Sequence, residues 1–255
     1  MRTIVGVLIV GLAACGDDGA TVTDAMSDSV AVDAPPCTPR SVETNKYGTS
    51  GNGVADGVGL CIEGGPDPCA TSTAGLAMLC VPSTTDFAIR ATQAGWETVL
   101  FLFDSANPGP LGTETGDDAF VTTLWADSGA TYPPTTSSLL FVDLISPTGR
   151  IANATVSISP NVGVVSYGDA NQVAHRALTA TSSSGTVYVG DLPPGKYDVT
   201  VTATPPVTCR NRNIGTIPLP PTPFVGGFAS PMAGAAVRVP TVAGAATNVY
   251  LYCTP

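Results

Sequence analysis

The 255-residue chain carries a formal charge of −10, with only ten Lys and Arg residues and one histidine; no basic cluster occurs along it, which argues against a nucleic-acid partner. Seven cysteines beside that single histidine favour disulfides over a metal site, so no metal and no cofactor are expected. With 28 glycines and 23 prolines punctuating short Val- and Thr-rich runs, and almost no helical period, the composition points to an all-β protein.

Residues 1–14 read as a secretory signal. Arg2 is the only charge, and the apolar segment Thr3 to Leu12 is too short to span a bilayer as a helix. The following Leu12-Ala13-Ala14-Cys15 resembles the bacterial lipobox, which implies cleavage ahead of Cys15 and lipidation of that residue. The expected product is an exported lipoprotein, bound to the membrane through its N-terminal lipid and held at the cell envelope. Gly16 after Cys15 favours the outer membrane where the host has one. An ordinary signal peptide cut elsewhere is the plainer alternative. Residues 15–36 comprise the lipidated Cys15 and a tether with five aspartates, no base and no aromatic residue, a composition that stays solvated.

From Cys37 onward an internal repeat organises the chain. Ala70-Thr71-Ser72-Thr73-Ala74-Gly75 is answered by Ala180-Thr181-Ser182-Ser183-Ser184-Gly185, and in each copy an aromatic follows the glycine by twelve residues, at Phe87 and at Tyr197. Val58, Leu60 and Ile62 alternate as Ala154, Val156 and Ile158 do; Phe87, Ile89 and Ala91 alternate as Tyr197, Val199 and Val201 do. Further strands are predicted at Val99–Phe103, Phe120–Ala126, Leu139–Ile145, Val162–Ser166, Ala235–Val242 and Val249–Cys253. The predicted architecture is two tandem antiparallel β-sandwiches, residues 37–136 and 137–255, joined near Tyr132-Pro133-Pro134.

The second copy, with Gly149-Arg150-Ile151-Ala152-Asn153-Ala154-Thr155-Val156, then Thr179-Ala180-Thr181 ahead of Gly185, then Leu192-Pro193-Pro194-Gly195-Lys196-Tyr197-Asp198-Val199, resembles the carboxypeptidase regulatory-like domain. The first copy is a less orthodox match, with Gly95-Trp96 where the family often has Gly-Tyr. The resemblance implies transthyretin-like, Ig-like sandwiches that serve as accessory, adhesive or scaffolding modules; it implies no catalysis.

Once Cys15 is lipidated, six cysteines remain for three disulfides. Cys209 and Cys253 are the only pair in the second half. Cys61 and Cys69 flank a predicted hairpin, which leaves Cys37 with Cys80; two other connectivities of the first four cysteines stay open.

The residues with chemical potential are few. His175 has no nucleophile elbow to serve and reads as an exposed loop histidine. Lys196 sits in a turn and should face solvent, which argues against an intramolecular isopeptide bond. Trp96 and Trp125, with Tyr132 and Tyr167, are candidates for stacking on sugar rings, core packing being the plainer reading. Asp104–Asp118 reads as an acidic loop that is either solvated or calcium-holding, and Asn211–Gly234 as a second long loop. The expected function is a non-catalytic, membrane-anchored envelope protein acting through structural or adhesive protein contacts. A carbohydrate-binding module for an envelope polysaccharide is the alternative; an exposed apolar patch or sheet edge would favour the first, a row of exposed aromatics the second.

Overall fold

A computed structural model describes residues 37–49, 51–65, 69–84, 86–103, 111–212 and 236–255. The signal, Cys15, the acidic tether, Asp104 and most of the second long loop lie outside the described residues.

The first half contains β1 (Cys37–Tyr47), β2 (Gly53–Val54), β3 (Gly59–Ile62), β4 (Ala70–Thr71), β5 (Leu76–Pro82), β6 (Phe87–Thr92), β7 (Val99–Phe103), β8 (Leu111–Gly116) and one helix, α1 (Asp118–Trp125). The second contains β9 (Ser138–Ser146), β10 (Gly149–Arg150), β11 (Thr155–Ser159), β12 (Val164–Gly168), β13 (Ala174–His175), β14 (Thr186–Leu192), β15 (Gly195–Thr202), β16 (Thr208–Arg212), β17 (Ala236–Thr241) and β18 (Ala246–Thr254).

The sequence repeat is a repeat of topology. In the first sandwich β1 pairs with β5 on one side and in parallel with β8 on the other, opposite a layer in which β6 joins β3 to β7. In the second, β9 pairs with β14 and in parallel with β18, opposite a layer in which β15 joins β11 to β17. Cross-strand partners correspond: Leu60 faces Ala91 and Ile62 faces Ile89, as Val156 faces Val201 and Ile158 faces Val199.

The turns correspond as well. Ser72 and Thr181 occupy one role. The Ser72 hydroxyl accepts from the Val58 amide and donates to the Ala55 carbonyl, and the Thr181 hydroxyl accepts from the Ala154 amide and donates to the Ile151 carbonyl. Gly75 and Gly185, at φ +74° and +65°, give their carbonyls to Thr44 and Leu144. A Cβ on Gly185 would stand 2.7 Å from the Leu144 carbonyl oxygen, so both the positive φ and the close backbone approach require glycine. Tyr197, a buried residue, closes the Pro193-Pro194-Gly195 turn by donating its hydroxyl to the Pro193 carbonyl at 2.6 Å.

Strands β1–β8 all precede residue 137 and β9–β18 all follow it, yet one sheet runs through both sets because β7 pairs in parallel with β18. Its 11 strands include β13-β12-β14-β9-β18-β7-β6-β3-β4 in spatial order. The sequence Val99-Leu100-Phe101-Leu102-Phe103 explains the join. Val99, Phe101 and Phe103 enter the first sandwich's core, while Leu100 and Leu102 pack with Leu140, Val142 and Val199 in the second. A strand buried on both faces reads as a continuous apolar run, and residues of both halves form one compact unit.

Two sequence expectations are corrected. The strand predicted at Phe120–Ala126 is α1. Asp117 caps it, its Oδ1 accepting from the Phe120 amide at 2.6 Å, and Phe120, Val121, Leu124 and Trp125 recur at helical spacing so that Val121 and Trp125 are buried together. The Val- and Thr-rich composition concealed this period, and the Thr122 and Thr123 hydroxyls donate to the carbonyls of Asp118 and Phe120 within the helix. The described part of the predicted acidic loop is strand β8 followed by the cap and first residue of α1: Leu111, Thr113 and Thr115 are buried and the backbone of β8 is laddered to β1. Threonines alternating on one face serve a strand as well as aliphatic residues do.

Disulfides join Cys37 to Cys80, Cys61 to Cys69 and Cys209 to Cys253. The first staples β1 to β5 and the third joins residues directly opposite on β16 and β18. Cys209 and Cys253 close a loop of separation 44 and Cys61 and Cys69 one of only 8. Loop-closure entropy therefore predicts that Cys209→Ser with Cys253→Ser lowers stability by about 4 kcal/mol, and the Cys61/Cys69 double replacement by about 2.5 kcal/mol. Denaturant unfolding of the two variants checks the order, and equal losses would contradict it.

Candidate functional site

The join between the sandwiches forms a half-open cavity of about 250 Å³. Its walls come from β1, β8, α1, β9, β10 and β18, so it depends on the two halves being fused. Ionisable groups at its lining are Glu97, Glu114, Asp143 and Arg150, with the Tyr47 and Tyr250 hydroxyls.

Each of these groups except one is held by its neighbours. Glu114, on β8, accepts from the Tyr47 hydroxyl at 3.0 Å and from the Tyr250 hydroxyl at 2.7 Å, one on each carboxylate oxygen. Burial, then the Glu114 charge, pushes both tyrosines well above the usual phenol range, so they remain donors. Asp143, buried on β9, accepts from Arg150 Nη1 and from the Thr186 hydroxyl at Oδ1. Burial still pushes its carboxyl above the usual range, against the lowering exerted by Arg150. Arg150 also donates to the Ser184 carbonyl at 2.8 Å.

Glu97 differs. It lies between β6 and β7, with its backbone fastened to β8: its amide donates to the Gly116 carbonyl at 2.9 Å, and its carbonyl accepts from the Thr115 hydroxyl at 3.1 Å. Its Oε1 is buried with no hydrogen-bond partner among the described residues. Burial, and then the charge of Asp118, pushes this carboxyl from 4.5 up to about 8. Glu97 also lines a second cavity of about 160 Å³ with Trp96, Asp118, Tyr132, Pro133 and Pro134, where the Tyr132 hydroxyl donates to Asp118 Oδ1 at 3.2 Å.

The structure distributes the sequence candidates unevenly. Trp125 is 3 % exposed and packs edge-on against Tyr188 at a centroid distance of 4.8 Å, while Tyr167 is buried and its hydroxyl accepts from the Val156 amide. Trp96 and Tyr132 are half-buried and share the smaller cavity. Lys196 is exposed at the start of β15. His175 lies on strand β13 rather than in a free loop, its Nδ1 3.2 Å from Asp127 Oδ2 and its Nε2 3.5 Å from Asp169 Oδ2. Among the described residues no serine hydroxyl is bonded to it, and no group of three or more His, Cys, Asp or Glu side chains is placed to hold a metal ion. Sequence reasoning missed Glu97, Glu114, Asp143 and Arg150 as one group. Only the placement of Asp143 and Arg150 within the second copy's strands could have signalled that pair, and nothing local marks Glu97.

No family model matches the sequence, and no curated protein matches it. Among solved structures the chain is similar to the shaft pilin SpaA of Lactobacillus rhamnosus GG, with 10 % identity, a TM-score of 0.24, and coverage of 86 % of this chain and 99 % of that one. It is also similar to a point mutant of the major pilin of Streptococcus pyogenes, with 10 % identity, a TM-score of 0.27, and coverage of 84 % and 98 %. The Bacillus anthracis TIE protein matches at 11 % identity and a TM-score of 0.23 over 85 % of this chain, which spans about a third of that protein (34 %). At these TM-scores the likenesses carry no argument about activity or partners. The class of protein defined by the structure is a disulfide-stapled double β-sandwich with a fused central sheet.

Proposed function

We propose that the chain is a non-catalytic, lipid-anchored envelope protein whose paired carboxypeptidase regulatory-like sandwiches present a surface to another protein. The observation that carries this reading is the outer face of β5 and β2. Leu76 and Met78 point outward from β5 at 51 % and 61 % exposure, beside Val54 of β2 at 60 %, while Ala77, Leu79 and Val81 fill the core from the opposite face. Apart from an isolated bridge between Leu76 and Thr73, β5 pairs only with β1 among the described residues, so an exposed apolar strip lies beside a strand edge left open beyond Leu76, the combination that favours a protein partner. The sugar-binding alternative has thinner support, because Trp125 and Tyr167 are spent on packing and no aromatic ring is among the exposed large apolar side chains of the described residues.

The anchor and the surface are tested on the full chain expressed in a bacterial envelope. Palmitate labelling is expected to mark the wild type and to be lost in Cys15→Ser, which should fractionate away from membranes. Leu76→Glu with Met78→Glu is expected to keep the wild-type melting temperature and labelling while losing the protein cross-linked to the wild type in cells. Retention of label by the serine variant removes the anchor, and retention of the cross-link by the double variant removes the proposed surface.

A further inference from the structure

Both cavities at the junction lack what would normally compensate their charge. Glu97, Glu114 and Asp143 line the larger one, and its single base, Arg150, is engaged with Asp143. Glu97 and Asp118 line the smaller one, which has no base. Glu114 has both oxygens bonded to tyrosine hydroxyls, which isolates Glu97 Oε1 as the buried acceptor without a partner among the described residues. A buried carboxyl oxygen left unpaired costs free energy, roughly 1–3 kcal/mol for a neutral group and more for a charged one. The surrounding surface is otherwise aromatic and apolar, with Phe120, Trp125 and Phe141 on the larger side and Trp96 on the smaller.

We propose that the Glu97 cavity is a binding site for a small organic monocation, a protonated amine or guanidinium, whose charge is taken by the Glu97 carboxylate and whose apolar surface lies among the Phe120, Trp125 and Phe141 side chains. The chemistry selects this class over its competitors. A divalent ion needs several convergent oxygens, and no such group exists among the described residues. A neutral polyol could donate to Glu97 but would leave the excess of carboxyl groups uncompensated. A cation with an apolar body satisfies both parts of the cavity, since aromatic faces attract cations in addition to excluding water around the ion pair. The proposal is independent of the β5 surface and of the anchor.

Binding consumes a carboxylate that the empty protein keeps protonated up to about pH 8, so the apparent affinity rises close to tenfold per pH unit from about pH 5.5 to 7.5. Glu114 on β8, Asp143 on β9, Arg150 on β10, Tyr47 on β1 and Tyr250 on β18 line the larger cavity beside Glu97, and Asp118 on α1 and Tyr132 ahead of β9 line the smaller one. The dependence is assigned to Glu97 by its loss in the Glu97 variant.

The test is titration calorimetry on the full chain with butylammonium chloride, and with 1-butanol and calcium chloride at matched ionic strength. Butylammonium is expected to bind with the stated pH dependence. Butanol and calcium are expected to bind at least tenfold more weakly. Glu97→Gln, which preserves shape, is expected to weaken butylammonium at least tenfold and to abolish the pH dependence, whereas Glu63→Gln, in a pair with Arg90 on β6, leaves both unchanged. Equal binding of butylammonium by wild type and Glu97→Gln overturns the site; equal binding of butanol overturns the cation; tighter binding of calcium overturns the organic class; and no detectable butylammonium binding at pH 7.5 overturns the proposal as a whole.

Discussion

Glu97→Gln is expected to raise stability at alkaline pH and to leave it nearly unchanged in acid. Burial, and then the charge of Asp118, pushes the Glu97 carboxyl from its ordinary 4.5 up to about 8 in the folded protein. Between those values the folded chain holds a proton that the unfolded chain has lost, so wild-type stability falls as pH rises through the window and levels off above it. The slope is about 1.4 kcal/mol per pH unit and the accumulated difference roughly 5 kcal/mol. Glutamine keeps the shape, carries no titrating proton and removes this slope. Urea unfolding of wild type and variant at pH 4.5, 6.5 and 9 checks the claim; parallel stability curves over that range would show that the carboxyl is not held protonated. Asp117, whose carboxyl is lowered by the Phe120 and Thr49 amides against a raising effect of burial, is common to both proteins and cancels in the difference.

The second large effect concerns Asp143 and Arg150. Arg150→Met is expected to cost about 4 kcal/mol, because it removes the guanidinium beside a buried carboxyl and leaves the Thr186 hydroxyl as its remaining partner. Burial outweighs the attraction of Arg150 in setting the Asp143 proton affinity. At Arg150 burial is instead outweighed, chiefly by the attraction of Asp143, so across the pair attraction and desolvation come close to balancing. Arg150→Met combined with Asp143→Leu is accordingly expected to recover most of the loss and to end within about 1 kcal/mol of wild type. Denaturant unfolding of both single variants and the double variant measures the coupling. Additive losses would mean that the two groups act separately despite their contact.

The strand pattern was largely legible because its cause is local. Leu60 with Ile62 and Val156 with Ile158 alternate, and period-2 alternation follows from the pleat whatever lies across the sheet. The repeat was legible for the same reason: the Gly75 and Gly185 turns need a positive φ that the sequence advertises. Phe120–Ala126 was misread because its β-branched content outweighed a helical spacing only eight residues long. Strand β8 was misread because its buried face is built from threonine, a residue equally at home in a loop.

The amino-acid sequence by itself determined an all-β chain, its duplication, and a cysteine content suited to three bridges. Alternation, turn chemistry and cysteine parity are properties of neighbouring residues or of simple counts. Only the tertiary structure decided that the two sandwiches share one sheet through β7 and β18, and that Glu97 of one half comes to lie in a cavity walled by Asp143, Arg150 and Tyr250 of the other. Those outcomes depend on desolvation and on parallel pairing between strands well over a hundred residues apart. A carboxyl's burial and lack of a partner are set by what the whole fold leaves around it, and no local pattern encodes them.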